Sequence, residues 1–144
     1  MNTVSREYPT RPLIGVGAII IKGPSVLLVR RSNPPAQGAW SIPGGLVRVG
    51  ETLLQAVARE AFEETGLAIK AGPLVDLVER IICDDYNRVK YHYVIADYRC
   101  VATGGVPVAG SDASEVSWAK KHDLGSFNLP EIALNVIDKA FLVR

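Results

Sequence analysis

The chain is 144 residues long and 48% hydrophobic, with 16 Lys and Arg set against 15 Asp and Glu. That length suits one domain burying roughly two-thirds of its unfolded surface. The charge balance excludes the basic footprint of a nucleic-acid binder or a polybasic membrane signal, and two cysteines, Cys83 and Cys100, build neither a disulfide framework nor a zinc site.

The opening MNTVSREYPT is polar and carries no signal-peptide pattern, so residues 1–11 read as a lead-in. LIGVGAIII (13–21) is β-branched and apolar, half of what a membrane span needs, and is predicted as a buried strand. KGPS (22–25) supplies a turn and VLLVR (26–30) a second strand, which together predict a hairpin. SNPPAQG (32–38) is a loop by composition. After WSI (40–42) comes PGG (43–45), expected outside helices and central strands.

A helix is predicted from Thr52, whose side chain forms a capping box with Gln55, to Thr65, with Gly66 as its left-handed stop. LVDLVERIIC (74–83) and YHYVIADYRCV (91–101) read as long strands joined by DDYNRVK, and EVSWA (115–119) as a short one. EIALNVIDKAFL (131–142) places Ile132, Ala133, Val136, Ile137, Ala140 and Phe141 on one stripe of a closing helix. Without repeat or linker, residues 1–144 are expected to form a single domain. The order strands, helix, strands, helix fits a mixed sheet with helices on both faces.

Glu60, Glu63 and Glu64 share an arc of roughly 100° near the C-terminal end of the first helix. Like charges at this spacing cost about 0.2–0.5 kcal/mol per pair, and carboxylates there oppose the helix dipole. One turn and two turns earlier the same arc is apolar, with Leu53, Ala56 and Val57. A solvated acidic face and a divalent-cation site remain the two readings of this stripe. A hard cation with oxygen ligands removes both electrostatic costs.

The surrounding stretch GLVRVGETLLQAVAREAFEETGL (45–67) carries Gly45, Glu51, Arg59, Glu60, Glu63, Glu64 and Gly66 at the fixed positions of Gly-x5-Glu-x7-Arg-Glu-U-x-Glu-Glu-x-Gly-U. Seven such matches arise by chance about once in 10⁸ starting points. The stretch resembles the Nudix box. With VLLVRR, WSIPGG and GSDASEVSW (110–118), the resemblance covers roughly residues 12–142 and points to the ADP-ribose pyrophosphatase-like, nucleotide-sanitising branch.

The resemblance implies an α/β (α+β) fold, an α/β/α sandwich with a central mixed β-sheet. It also implies hydrolysis of a nucleoside diphosphate linked to another moiety, with Mg²⁺ or Mn²⁺. By facing, Glu60 and Glu64 are the first metal ligands and Glu63 follows; the resemblance adds the backbone carbonyl of Gly44 and an auxiliary ligand at Asp112. Arg59 and Glu51 are expected to pair and hold the loop against the helix. The general base stays open among Glu60, a later carboxylate such as Asp112, and Glu115.

The resemblance implies a phosphate contact for Arg31, at a position that meets phosphate in the nucleotide-sanitising relatives, while Trp40 and Tyr86 are candidates to stack on a base. Asp84 and Asp85 read as turn residues and His92 as structural. The family's specificity marks outside the box are mostly absent: Ile82 and Cys83 stand where ADP-ribose enzymes often have proline. ADP-ribose or a related sugar nucleotide leads, and a nucleoside triphosphate is the alternative. A non-catalytic sensor, attached in relatives to a DNA-binding domain, ranks below both, because the box is intact and the chain ends directly after its closing helix. The expected partner is a small nucleotide, with no nucleic acid or membrane, and a homodimer is open. The two thiols suit a reducing, cytoplasmic compartment.

Overall fold

The computed structural model describes residues 5–34, 36–110 and 112–143. Strands β1 (Leu13–Lys22), β2 (Ser25–Arg31), β3 (Trp40–Ser41) and β4 (Gly44–Leu46) precede helix α1 (Leu53–Thr65). Strands β5 (Ala68–Cys83), β6 (Val89–Gly104) and β7 (Ala113–Lys120), a 3-10 helix (Lys121–Phe127) and helix α2 (Glu131–Leu142) follow. The strands form one mixed sheet along the path β3-β2-β1-β6-β5, with β4 on β1 and β7 on β2. Among the described residues, β1 and β6 run parallel and the other pairs antiparallel.

Strand β1 is apolar from Leu13 to Ile21 because both its faces are covered over most of that length. Val16, Ala18 and Ile20 point to one side, where Ala56, Val57 and Ala61 of α1 pack on them. Ile19 and Ile21 point to the other, against Ala133, Val136, Ile137 and Ala140 of α2. The alternation of a strand thus builds both layers of the helix–sheet–helix sandwich from one segment.

Two expectations need correction, and one element went unpredicted. Ile132 is 45% exposed and lies off the buried stripe of α2. Strand β5 begins earlier than its predicted core and β6 extends beyond its own at both ends, because their ladder runs from Ala68↔Gly104 to Cys83↔Val89. The 3-10 helix carries only Leu124 as a buried residue, too little periodicity to reveal it.

PGG keeps out of helices and central strands as expected, but its two glycines enter the short strand β4, where Gly44 and Gly45 pair with Gly17 and Val16 of β1. Strands β1 and β2 are paired at Ile21↔Val26 and Lys22↔Ser25, next to their turn, and β4 pairs with β1 further along. A Cβ on Gly44 would collide with the carbonyl oxygen of Val16, so only glycine permits this approach.

Candidate active site

The end caps set where α1 begins and stops, and its buried face sets which way the acidic one turns. The Thr52 side chain accepts from the Gln55 amide at 3.1 Å, and the Gln55 side chain accepts from the Thr52 amide at 2.9 Å. Gly66 closes the helix at φ 74°, in the left-handed region. With Ala56, Val57 and Ala61 locked into the core, Arg59, Glu60, Glu63 and Glu64 are held along the flank that meets β4 and its loops.

Arg59 is the hub of that flank. Its Nε and Nη2 donate to the two oxygens of Glu51 at 2.6 and 2.9 Å. Nη1 donates to Glu60 at 2.7 Å and Glu63 at 3.1 Å, and Nη2 also reaches the Leu46 carbonyl at 3.0 Å. All five guanidinium N–H groups therefore have an acceptor. Bonding from Arg59, then from the Arg48 amide, holds the Glu51 carboxyl down at about 2. Glu51 in turn pushes the Arg59 pKa up.

Two consecutive glycines receive the other carboxylates. The Gly44 amide donates to Glu64 Oε2 at 3.0 Å. A Cβ on Gly45 would overlap the Glu60 carboxylate. Glu60 and Glu64 thus converge on the Gly44–Gly45 backbone. Glu64 is buried, which pushes its pKa up to about 7; the Gly44 amide and Arg31 oppose the rise, and Glu60 and Asp112 add to it. This is a desolvated carboxylate with one neutral donor, an arrangement that a cation would complete.

Beside it opens a cleft of about 510 Å³ lined by Arg6, Leu46, Val47, Arg48, Glu60, Glu63 and Asp112. Such a cleft, polar and open at one side, admits a charged ligand. The sequence matches the family model described as NUDIX domain over residues 11–140.

The chain belongs to the Nudix family.

An ADP-ribose pyrophosphatase from Methanocaldococcus jannaschii is 38% identical over 124 residues, covering 86% of this chain and 68% of that protein. The crystal structure of a MutT NUDIX hydrolase from Burkholderia pseudomallei superposes with TM-score 0.78 at 30% identity, over 90% of this chain and 98% of that one. The NUDIX domain of Shewanella oneidensis NrtR, complexed with ADP ribose, superposes with TM-score 0.73 at 25% identity, over 92% and 88% of the two chains. This chain is a Nudix pyrophosphohydrolase with the mixed-sheet sandwich of those structures.

Nudix hydrolases as a family use divalent cations. Among the described residues, no three His, Cys, Asp or Glu side chains are gathered as a ready-made metal cage. Glu60 and Glu63 are turned to Arg59, and Glu64 to the Gly44 amide. The donor set still fits a hard cation, since every group is an oxygen ligand and Glu64 carries a desolvated charge. Such an ion would have to compete with Arg59 for Glu60 and Glu63.

The remaining candidates divide by location. Asp112 lines the cleft and accepts from Asn33 Nδ2 at 2.8 Å. Arg31 is near enough to lower the Glu64 pKa. Glu115 pairs with Arg30 at 3.0 Å, is exposed, and does not line the cleft. Trp40 packs edge-on against Phe127 at 5.2 Å beside the α2 core, and Tyr86 lies against Arg88 in the β5–β6 turn, so neither aromatic lines the cleft. Asp84 accepts from the amides of Tyr86 and Arg88 and organises that turn. Arg48 and Arg6 were missed as cleft residues. Arg48 occupies a variable slot of the box, and Arg6 has no local signal.

Asp97 was missed too, although a lone Asp inside an apolar strand is a legible anomaly. It is 4% exposed, sits across from Gly17 where a Cβ would collide with its Oδ1, and that oxygen has no partner among the described residues. Burial, then the charge of Asp76, push its pKa up to about 7. A raised folded pKa means that the native state holds its proton more tightly. The destabilising charge is absent below the usual 3.8, grows as pH rises, and is complete above about 7. Asp97→Asn is therefore expected to stabilise the protein at pH 8 by roughly 1–3 kcal/mol and to change little near pH 4. Urea unfolding at both pH values checks it, and equal shifts at the two would refute the buried charge.

Proposed function

We propose that this Nudix hydrolase cleaves the pyrophosphate of a nucleoside diphosphate derivative, ADP-ribose or a related nucleotide sugar, using Mg²⁺ or Mn²⁺. The observation that carries the reading is the convergence of Glu64 and Glu60 on Gly44–Gly45 at the edge of an open cleft. The choice of ADP-ribose is supported by the similarity to an ADP-ribose pyrophosphatase over most of the chain, and to a NUDIX domain complexed with ADP ribose.

Bound among these carboxylates and the Gly44 carbonyl, a divalent ion would neutralise the pyrophosphate oxygens and acidify the attacking water. The chain's own residues do the rest. Glu64 supplies the buried charge that draws the cation in. Arg59 keeps Glu60 and Glu63 at the wall of the cleft, where one of them takes the proton as water attacks phosphorus. Glu51 anchors Arg59, and through it the loop from Leu46 to Glu51. Asp112 enters the cleft from the segment before β7 as an auxiliary ligand, and Arg31 meets phosphate.

A panel of ADP-ribose, NADH, sugar nucleotides and canonical and oxidised nucleoside triphosphates, each with Mg²⁺ or Mn²⁺, tests the reading. ADP-ribose is expected to have the highest kcat/KM, yielding AMP and ribose 5-phosphate. Preference for a triphosphate would replace the substrate. Binding of ADP-ribose with no turnover of any compound would point to a sensor.

A further inference from the structure

The lead-in segment is tied down in a way that its polar sequence did not announce. The Tyr8 amide donates to the Lys90 carbonyl at 2.8 Å, and its hydroxyl donates to Asp84 Oδ2 at 2.8 Å. The Arg88 guanidinium lies 5.2 Å from the centre of the Tyr8 ring, and Tyr91 donates its hydroxyl to Glu7 at 3.1 Å. Tyr8 has φ 49°, a left-handed conformation that a non-glycine residue keeps only where its surroundings impose it. Residues 5–8 are thus strapped across the start of β6 by contacts from Asp84, Arg88, Lys90 and Tyr91.

The strap delivers Arg6 to the wall of the acidic cleft. The other cations there are already engaged: Arg48 lies 3.6 Å from Glu63, and each N–H of Arg59 has its acceptor. Among the described residues, the Arg6 side chain has neither a hydrogen bond nor an ion pair, although Glu60, Glu63 and Asp112 line the same cleft. Arg6 also lies outside residues 11–140, the stretch that matches the family.

We propose that Arg6 is a substrate-binding residue that donates to a non-bridging phosphate oxygen of the nucleotide, and that the Tyr8 strap positions it. The inference rests on the pyrophosphohydrolase reading above and deepens it. A guanidinium suits this task because it stays charged and presents paired donors to a phosphate. It offsets the repulsion between an incoming pyrophosphate and the three carboxylates of the cleft. The strap removes in advance much of the conformational freedom that a terminal arginine would lose on binding.

Calorimetric titration of ADP-ribose in the presence of Ca²⁺ tests the proposal without requiring hydrolysis. Arg6→Gln is expected to weaken binding about 5- to 10-fold with an unchanged Tm, and Arg6→Lys to recover part of the loss. Tyr8→Phe, which removes only the hydroxyl, is expected to weaken binding about 2- to 3-fold. In turnover, Arg6→Gln raises KM and leaves kcat within 2-fold. Equal affinity of wild type and Arg6→Gln, whether both bind or neither does, overturns the proposal, as does a loss of affinity that tracks a fall in Tm. Failure of the hydrolase reading looks different: no turnover by the wild type, with the affinity difference intact.

Discussion

Glu64→Gln is expected to lower kcat with Mg²⁺ on the order of 10³-fold, the loss of several kcal/mol of charge stabilisation. Glutamine keeps the shape of the side chain and an oxygen to accept from the Gly44 amide, so the fold should persist. What disappears is a carboxylate that burial has already made costly to ionise. Without cation the variant should therefore be at least as stable as the wild type at pH 8, where the buried charge is present in one and absent in the other. The wild type should gain Tm on adding Mg²⁺ and the variant should not. A near wild-type rate, or an undiminished thermal response to Mg²⁺, would remove Glu64 from the metal site.

Arg59→Met is expected to have the largest effect on stability. It leaves Glu51, Glu60 and Glu63 without their shared partner and frees the Leu46 carbonyl. Removing one side of a half-buried charge network costs about 2–4 kcal/mol, less than for a fully buried one because solvent screens part of it, which for a domain of this size lowers Tm by roughly 5–12 °C. Lysine cannot substitute, since it lacks the planar fork that serves both Glu51 oxygens at once. The network also sets an acid limit. The folded pKa of Glu51 is depressed, so its stabilisation is present above the ordinary 4.5 and is lost as pH falls towards about 2. Arg59→Met should flatten that acid limb, and scanning calorimetry between pH 3 and pH 7 measures it. An unchanged Tm at neutral pH would mean that the carboxylates are solvated rather than held.

Much of this protein was legible because its determinants are local. The capping box at Thr52–Gln55 and the stop at Gly66 are set by residues within one turn of each other, and α1 begins and ends where they dictate. Strand β1 announced its double burial through an unbroken apolar run, and α2 kept its predicted bounds. The spacing of Gly45, Glu51, Arg59, Glu60, Glu63, Glu64 and Gly66 was enough to place the chain in its family.

Tertiary structure alone decided what those residues meet. Gly44 and Gly45 join strand β4 through a partner, Gly15–Gly17, about thirty residues earlier, beyond the reach of any local rule. Gly44 and Gly45 looked like open backbone for a metal. Packing shows a second need for glycine, since Val16 fills one Cβ position and the Glu60 carboxylate the other. Trp40 and Tyr86 are equally aromatic on paper; Phe127 holds the first beside the α2 core, and the second stands exposed on the β5–β6 turn, outside the cleft. Arg6 lies 54 positions from Glu60, and nothing in its neighbourhood marks it; Asp84, Arg88, Lys90 and Tyr91 bring it to the cleft. Helix starts and stops depend on neighbours in the chain, whereas the charge, burial and hydrogen bonding of a site depend on neighbours in space.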